Sequence, residues 1–166
     1  MPTGQHPMRQ PDLRLDDIAD HVGEEYGPGN WITLDQRLID EFATATGDDA
    51  WYHVDTGRAR DELPDGVTIA HGLLTLSLVP KALTTVLKLH FPTRAVNYGY
   101  DRIRFPAPVQ VNDRIRFVFR LNDVDAHPGG ILIRLGVSAE IDGDERPALV
   151  ATQLILAFDS SPLLGK

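Results

Sequence analysis

From residue 114 onward the chain keeps a two-residue period, and this constrains the fold more than any other feature. Ile115, Phe117, Phe119 and Leu121 alternate with Arg116, Val118 and Arg120. Ile131, Ile133, Leu135, Val137, Ala139 and Ile141 alternate with positions that include Arg134, Ser138 and Glu140. Side chains along a strand point to opposite faces in turn, so these are long half-buried strands with one apolar face each. His127 to Gly130, HPGG, joins the two as a hairpin. The segment DGDERP, Asp142 to Pro147, leads into LVATQLILAF, whose nearly unbroken apolar run suits an interior strand. Upstream, Val96, Tyr98 and Tyr100 alternate, whereas Ile103 and Phe105 continue in the opposite phase. A bulge near Asp101 accommodates the slip.

A sheet with one apolar face needs a cover. The longest apolar stretch, Ile69 to roughly Leu89, supplies it: Leu-rich and too long for a strand, it reads as a helix buried on most sides. Pro80 removes one backbone bond inside it and predicts a kink. Ahead of it, Leu15, Ile18, Ala19 and Val22 recur at helical spacing up to Gly23. Gly27, Pro28 and Gly29 make a turn, and Trp31-Ile32 a brief strand or a packed lead-in. Thr33-x-x-Gln36 has the form of a capping box, Leu38, Ile39 and Phe42 share a helix face, and Gly47 offers a left-handed exit. Asp48 to His53 is then a loop, and Asp55 caps a short helix over GRARDEL. The expected class is α+β, a long antiparallel sheet wrapped around one central helix.

The 166 residues, 42% hydrophobic, fit one domain over residues 13–166 behind a flexible tail, 1–12. The tail lacks the apolar core of a signal peptide, and no run of about 18 apolar residues predicts a membrane span. Absent cysteine removes disulfides, thiolate metal sites and a cysteine nucleophile, and is compatible with a reducing cytoplasm. A net charge of −8 disfavours nucleic acid and anionic membranes as partners.

The chemistry-bearing residues concentrate in TGDDAWYHVD, Thr46 to Asp55. A carboxylate and an imidazole close together can hold a water, orient it and take its proton, which Asp48 and His53 could do. Equally, Asp48 could bond loop amides and His53 be a satisfied core histidine. Asp49 is read as solvated, Asp55 as a cap, and Trp51 and Tyr52 as packing. His71-Gly72 opens the long helix, where the Gly72 N–H could stabilise negative charge on a carbonyl oxygen. Alternatively, Gly72 permits only tight packing and His71 caps the helix with its side chain. Ser77 sits in the helix interior, where a hydroxyl more often bonds back to the preceding turn. The histidines and aspartates match no metal-ligand spacing, so no metal is expected. No phosphate-binding glycine loop occurs, and no nucleophile-elbow serine.

Three blocks in order, FATATGDDAWYHVD, IAHGLLTLSL and NYGYDRIRFPAPVQVNDRIR, resemble the MaoC-like hydratase/dehydratase family, especially its nodulation-protein-N-like branch. They cover about Glu41 to Arg116. The resemblance implies a hot-dog fold and (R)-specific hydration of trans-2-enoyl-CoA thioesters, or the reverse dehydration. It also implies that Asp48 and His53 hold the water, that the Gly72 N–H binds the thioester carbonyl beside His71 and Ser77, and that the protein is a homodimer. No cofactor is implied beyond the CoA thioester substrate. Asp49 and Ala50 stand where relatives carry amides, and Pro80 where some carry a serine, which bears on substrate range. Lys81, Arg94, Arg102 and Arg104 are candidates for the CoA phosphates. An acyl-CoA thioesterase and a non-catalytic hot-dog subunit are the alternatives.

Overall fold

Strand β6 (Arg114–His127) is the spine of the molecule, with Ile115, Phe117, Phe119 and Leu121 all fully buried on one face. Burying one such phenylalanine contributes about 1.5–3 kcal/mol. The computed structural model describes residues 10–91 and 94–158. The expected tail over residues 1–12 lies outside the described residues up to residue 9.

Strand β6 pairs antiparallel with β7 (Gly130–Ile141) across the expected hairpin, Phe117 opposite Ala139 and Phe119 opposite Val137. Strand β7 pairs with β8 (Leu149–Phe158), and β8 with β5 (Arg94–Arg104), so β8 is an interior strand as its composition predicts. Short strands β2 (Glu25–Tyr26) and β3 (Ile32–Thr33) complete the six-stranded sheet along the other side of β6. The register of β5 slips between Asp101 and Arg104, where the change of phase placed it, and again between Asn97 and Gly99. Arg102 takes the first slip with φ of 54°.

The long apolar segment divides. Helix α4 (Gly72–Ser77) and helix α5 (Val79–Val86) meet at Leu78, with Pro80 in the first turn of α5, where its missing N–H costs least. Leu74, Val79, Ala82, Leu83 and Val86 enter the core, α4 contacting β8 and α5 contacting β6. Leu73, Ser77, Pro80, Lys81 and Thr84 are exposed, so the helix is buried on one face rather than on most sides. Its last residues leave the helix as β4 (Lys88–His90), which runs parallel to β1 (Asp12–Arg14) in a separate pair that local patterning did not predict.

Two local expectations are corrected. The segment around Ile18 forms only a 3₁₀ turn, Ile18–His21, and Val22 faces solvent. Helix α1 (Gln36–Thr46) is capped by Asp35, whose carboxylate accepts from the Leu38 N–H at 2.9 Å. Thr33 is committed to β3 opposite Arg114, and the Gln36 side chain reaches elsewhere, so no capping box forms. Gly47 does end α1 in the left-handed region, φ 76°, with its N–H on the Ala43 carbonyl.

Candidate active site

The left-handed turn at Gly47 swings the chain away from α1, and the next residue is Asp48, exposed. What was expected to be a loop through His53 closes into one helical turn, α2 (Trp51–Val54), followed by α3 (Thr56–Glu62), which Asp55 caps through the Arg58 N–H. That turn points His53 inward, leaving it 7% exposed.

His53 Nδ1 lies 2.6 Å from the Ile69 carbonyl oxygen. A carbonyl can only accept, so Nδ1 carries the proton and Nε2 keeps its lone pair free to act as a base. Burial holds the His53 pKa below its usual value. The Ile69 bond opposes that shift, the neighbouring His71 reinforces it, and the Asp48 charge opposes it. The outcome is a neutral imidazole at ordinary pH, the state a general base requires.

His71 is 2% exposed and does not cap α4 through its side chain. Its ring stacks on that of His53 at 3.7 Å and 27°, and Phe42 of α1 packs against it at 5.0 Å. Nε2 donates to the Asp48 backbone oxygen at 2.8 Å. One donor atom from each of Asp48, His53 and His71 lies within 4.8 Å of the others, so the two groups read as a water-holding pair do converge. These three are also the described residues that could hold a cation. One nitrogen of each ring is already bonded to a carbonyl.

A cavity of about 300 Å³ opens beside His53, lined by Ala70, Gly72, Thr75, Phe105 and Val109 among others. The base and the start of α4 therefore face one space. Gly72 is the first residue of α4, and among the described residues its N–H meets no acceptor, as expected for a helix start. Gly72 packs tightly, as one of its two readings requires, because a Cβ there would stand 2.8 Å from carbons of the Phe105 ring. A larger hollow of about 640 Å³ between Gln10, Tyr26, Pro28 and Val86 has no imidazole among the described residues that line it.

Ser77 is exposed, donates to the Leu73 carbonyl at 2.7 Å and does not line the cavity beside His53. Lys81, Arg102 and Arg104 are exposed. Arg102 borders a different hollow, with Arg120, Ser138 and Thr152, on the sheet face opposite the core. Arg94 lies over the Phe158 ring at 5.2 Å.

Residues that the motifs did not single out hold the site together. The Gln36 side chain donates to the His53 carbonyl at 2.8 Å and accepts from the hydroxyl of Thr68, which is 1% exposed. Ile69 in turn donates to the Tyr52 carbonyl. A buried threonine before an apolar helix is the one available hint, and it names no partner.

A family model described as a MaoC like domain matches residues 17–140. The chain belongs to that family. Nodulation protein N of Rhizobium leguminosarum bv. viciae is 41% identical over 151 residues, 89% of this MaoC-like chain and 94% of the relative. The 3-hydroxyacyl-thioester dehydratase Z of Mycobacterium tuberculosis is 39% identical over 140 residues, 84% of this chain and 92% of the relative. Among solved structures, R-hydratase PhaJ1 from Pseudomonas aeruginosa superposes with a TM-score of 0.67 at 21% identity, covering 87% of this chain and 88% of that one. The MaoC-like chain thus has the hot-dog fold, as the resemblance implied. Among the described residues no helix is long and apolar enough to cross a membrane.

Proposed function

We propose that this MaoC-like protein is an (R)-specific enoyl-CoA hydratase, interconverting a trans-2-enoyl-CoA and the (R)-3-hydroxyacyl-CoA. The observation that carries the reading is the placement of His53. Its free Nε2 belongs to a ring that approaches the Asp48 carboxylate and lines the same cavity as Gly72. Kinship to a 3-hydroxyacyl-thioester dehydratase at 39% identity supports the reaction type.

In this mechanism the water rests between Asp48 and His53. His53 Nε2 removes one water proton as the oxygen bonds to the β carbon of the enoyl group. The π electrons move toward the thioester, and negative charge gathers on its oxygen, where the Gly72 N–H meets it. The proton taken up by His53 is then passed on to the α carbon, directly or by way of Asp48, so that H and OH are both accounted for and both residues end as they began. Asp48 orients the water and takes part in the α-proton transfer. The reaction needs no cofactor, the acyl-CoA is the ligand, and the working unit is a homodimer in the cytoplasm.

The test is a chain-length panel of trans-2-enoyl-CoA substrates, followed by loss of the enoyl absorbance and by chiral analysis of the product. Loss of absorbance with an (R)-3-hydroxyacyl product supports the reading. Free-thiol release without hydration overturns it in favour of the thioesterase alternative.

A further inference from the structure

Neither the hydration chemistry nor the motif accounts for why His71, rather than any other flat side chain, is buried at the start of α4. Its donor contact is specific: Nε2 meets the main-chain oxygen of Asp48 at 2.8 Å, across 23 positions of sequence. Among the described residues the Asp48 N–H reaches only the Thr46 hydroxyl, at a long 3.4 Å. The remaining nitrogen, Nδ1, is buried with no partner among the described residues. Because a carbonyl accepts only, the neutral ring has its proton on Nε2 and Nδ1 is bare. The ring stacks on His53 and has the Phe42 ring tilted against it.

We propose that His71 is the positioning residue of the site: a clamp whose Nε2–H fixes the Asp48 loop while its ring face fixes the plane of the His53 imidazole. The inference rests on the hydratase reading above. It joins three separate pieces of chain, the loop after α1, the turn α2 and the start of α4, through one side chain. The titratable groups facing His71 are Asp48 from the loop and His53 from α2, while α1 contributes only the apolar ring of Phe42. A misplacement of the water by a fraction of an ångström is costly to the rate, whereas the acyl-CoA is bound mostly elsewhere. His71 therefore acts on kcat more than on KM.

The experiment compares His71→Gln and His71→Phe in the full chain. Glutamine can still donate to the Asp48 carbonyl, whereas phenylalanine keeps a flat ring against His53 but cannot donate. For enoyl-CoA hydration, His71→Phe is expected to lose about tenfold or more in kcat, the size of one lost hydrogen bond, with little change in KM. His71→Gln, which restores the donor but not the ring face, is expected to recover part of that loss. Wild-type kcat in His71→Phe, or no recovery in His71→Gln, overturns the proposal. Long-range ¹H–¹⁵N correlation spectra of the wild-type protein test the same contact without substrate. A proton on His71 Nε2 and none on Nδ1 is expected, and the reverse tautomer overturns the clamp even if the variants fail to fold. Should the wild-type protein hydrate no enoyl-CoA, the hydratase reading fails by itself, and the spectra still decide the contact between His71 and Asp48.

Discussion

His71 lies flat against His53, their ring centroids 3.7 Å apart, and each ring gives its one engaged nitrogen to a different backbone carbonyl. The bond from Nδ1 leaves the His53 Nε2 lone pair as the one that can act as a base, on a ring within 4.8 Å of the Asp48 carboxylate by one of its nitrogens, and the consequences can be measured.

Replacing Asp48 with Asn, or His53 with Gln, removes acid–base chemistry while keeping shape. Each is expected to lower kcat/KM for enoyl-CoA hydration about 100-fold or more, the usual scale for a positioned proton-transfer group. Asp48→Asn is expected to leave the melting temperature nearly unchanged, because Asp48 is exposed. Hydration that survives both changes removes the site assignment.

Burial lowers the pKa of His53 from 6.5, so the base stays neutral below the pH at which a free histidine takes up a proton. The acid limb of kcat/KM is expected below pH 6.5. Stability follows with a definite sign. Between the folded pKa and 6.5 the unfolded chain binds more protons than the native one, so stability declines as the pH falls through that window. Melting temperatures at neutral and mildly acid pH should show a smaller acid loss in His53→Gln than in wild type.

A methyl group at position 72 must displace Phe105, whose near ring carbons would lie at 2.8 Å. Gly72→Ala is expected to cost about 1–3 kcal/mol, as overpacking typically does, and to weaken hydration. Combining it with Phe105→Leu is expected to restore part of the lost stability. Chemical denaturation of the three proteins measures this.

Gln36→Leu leaves the Thr68 hydroxyl and the His53 carbonyl without the amide that joins them. The expected cost is about 1–3 kcal/mol for stranded polar groups. A drop in kcat is also expected, because the turn carrying His53 is less well held. Thr68→Val in the Gln36→Leu background should add less than it does alone, and a double-mutant cycle reads the difference.

What the sequence by itself determined is what neighbours along the chain decide. The apolar phases of β6 and β7, the left-handed end of α1 at Gly47 and the Asp55 cap follow from period and from local hydrogen bonding. Asp48 and His53 were legible because five positions of chain can bring them together whichever way the helices pack. Where a local signal had a competitor, it failed: Thr33 was drawn into pairing with Arg114, and Asp35 took the cap. The tertiary structure alone decided that Gln36 reaches Thr68 across 32 positions, that Phe105 seats on Gly72, and that His71 bonds the Asp48 carbonyl. These contacts join segments whose approach depends on how the sheet curls onto α4. No pattern within one segment encodes which group it will meet in another.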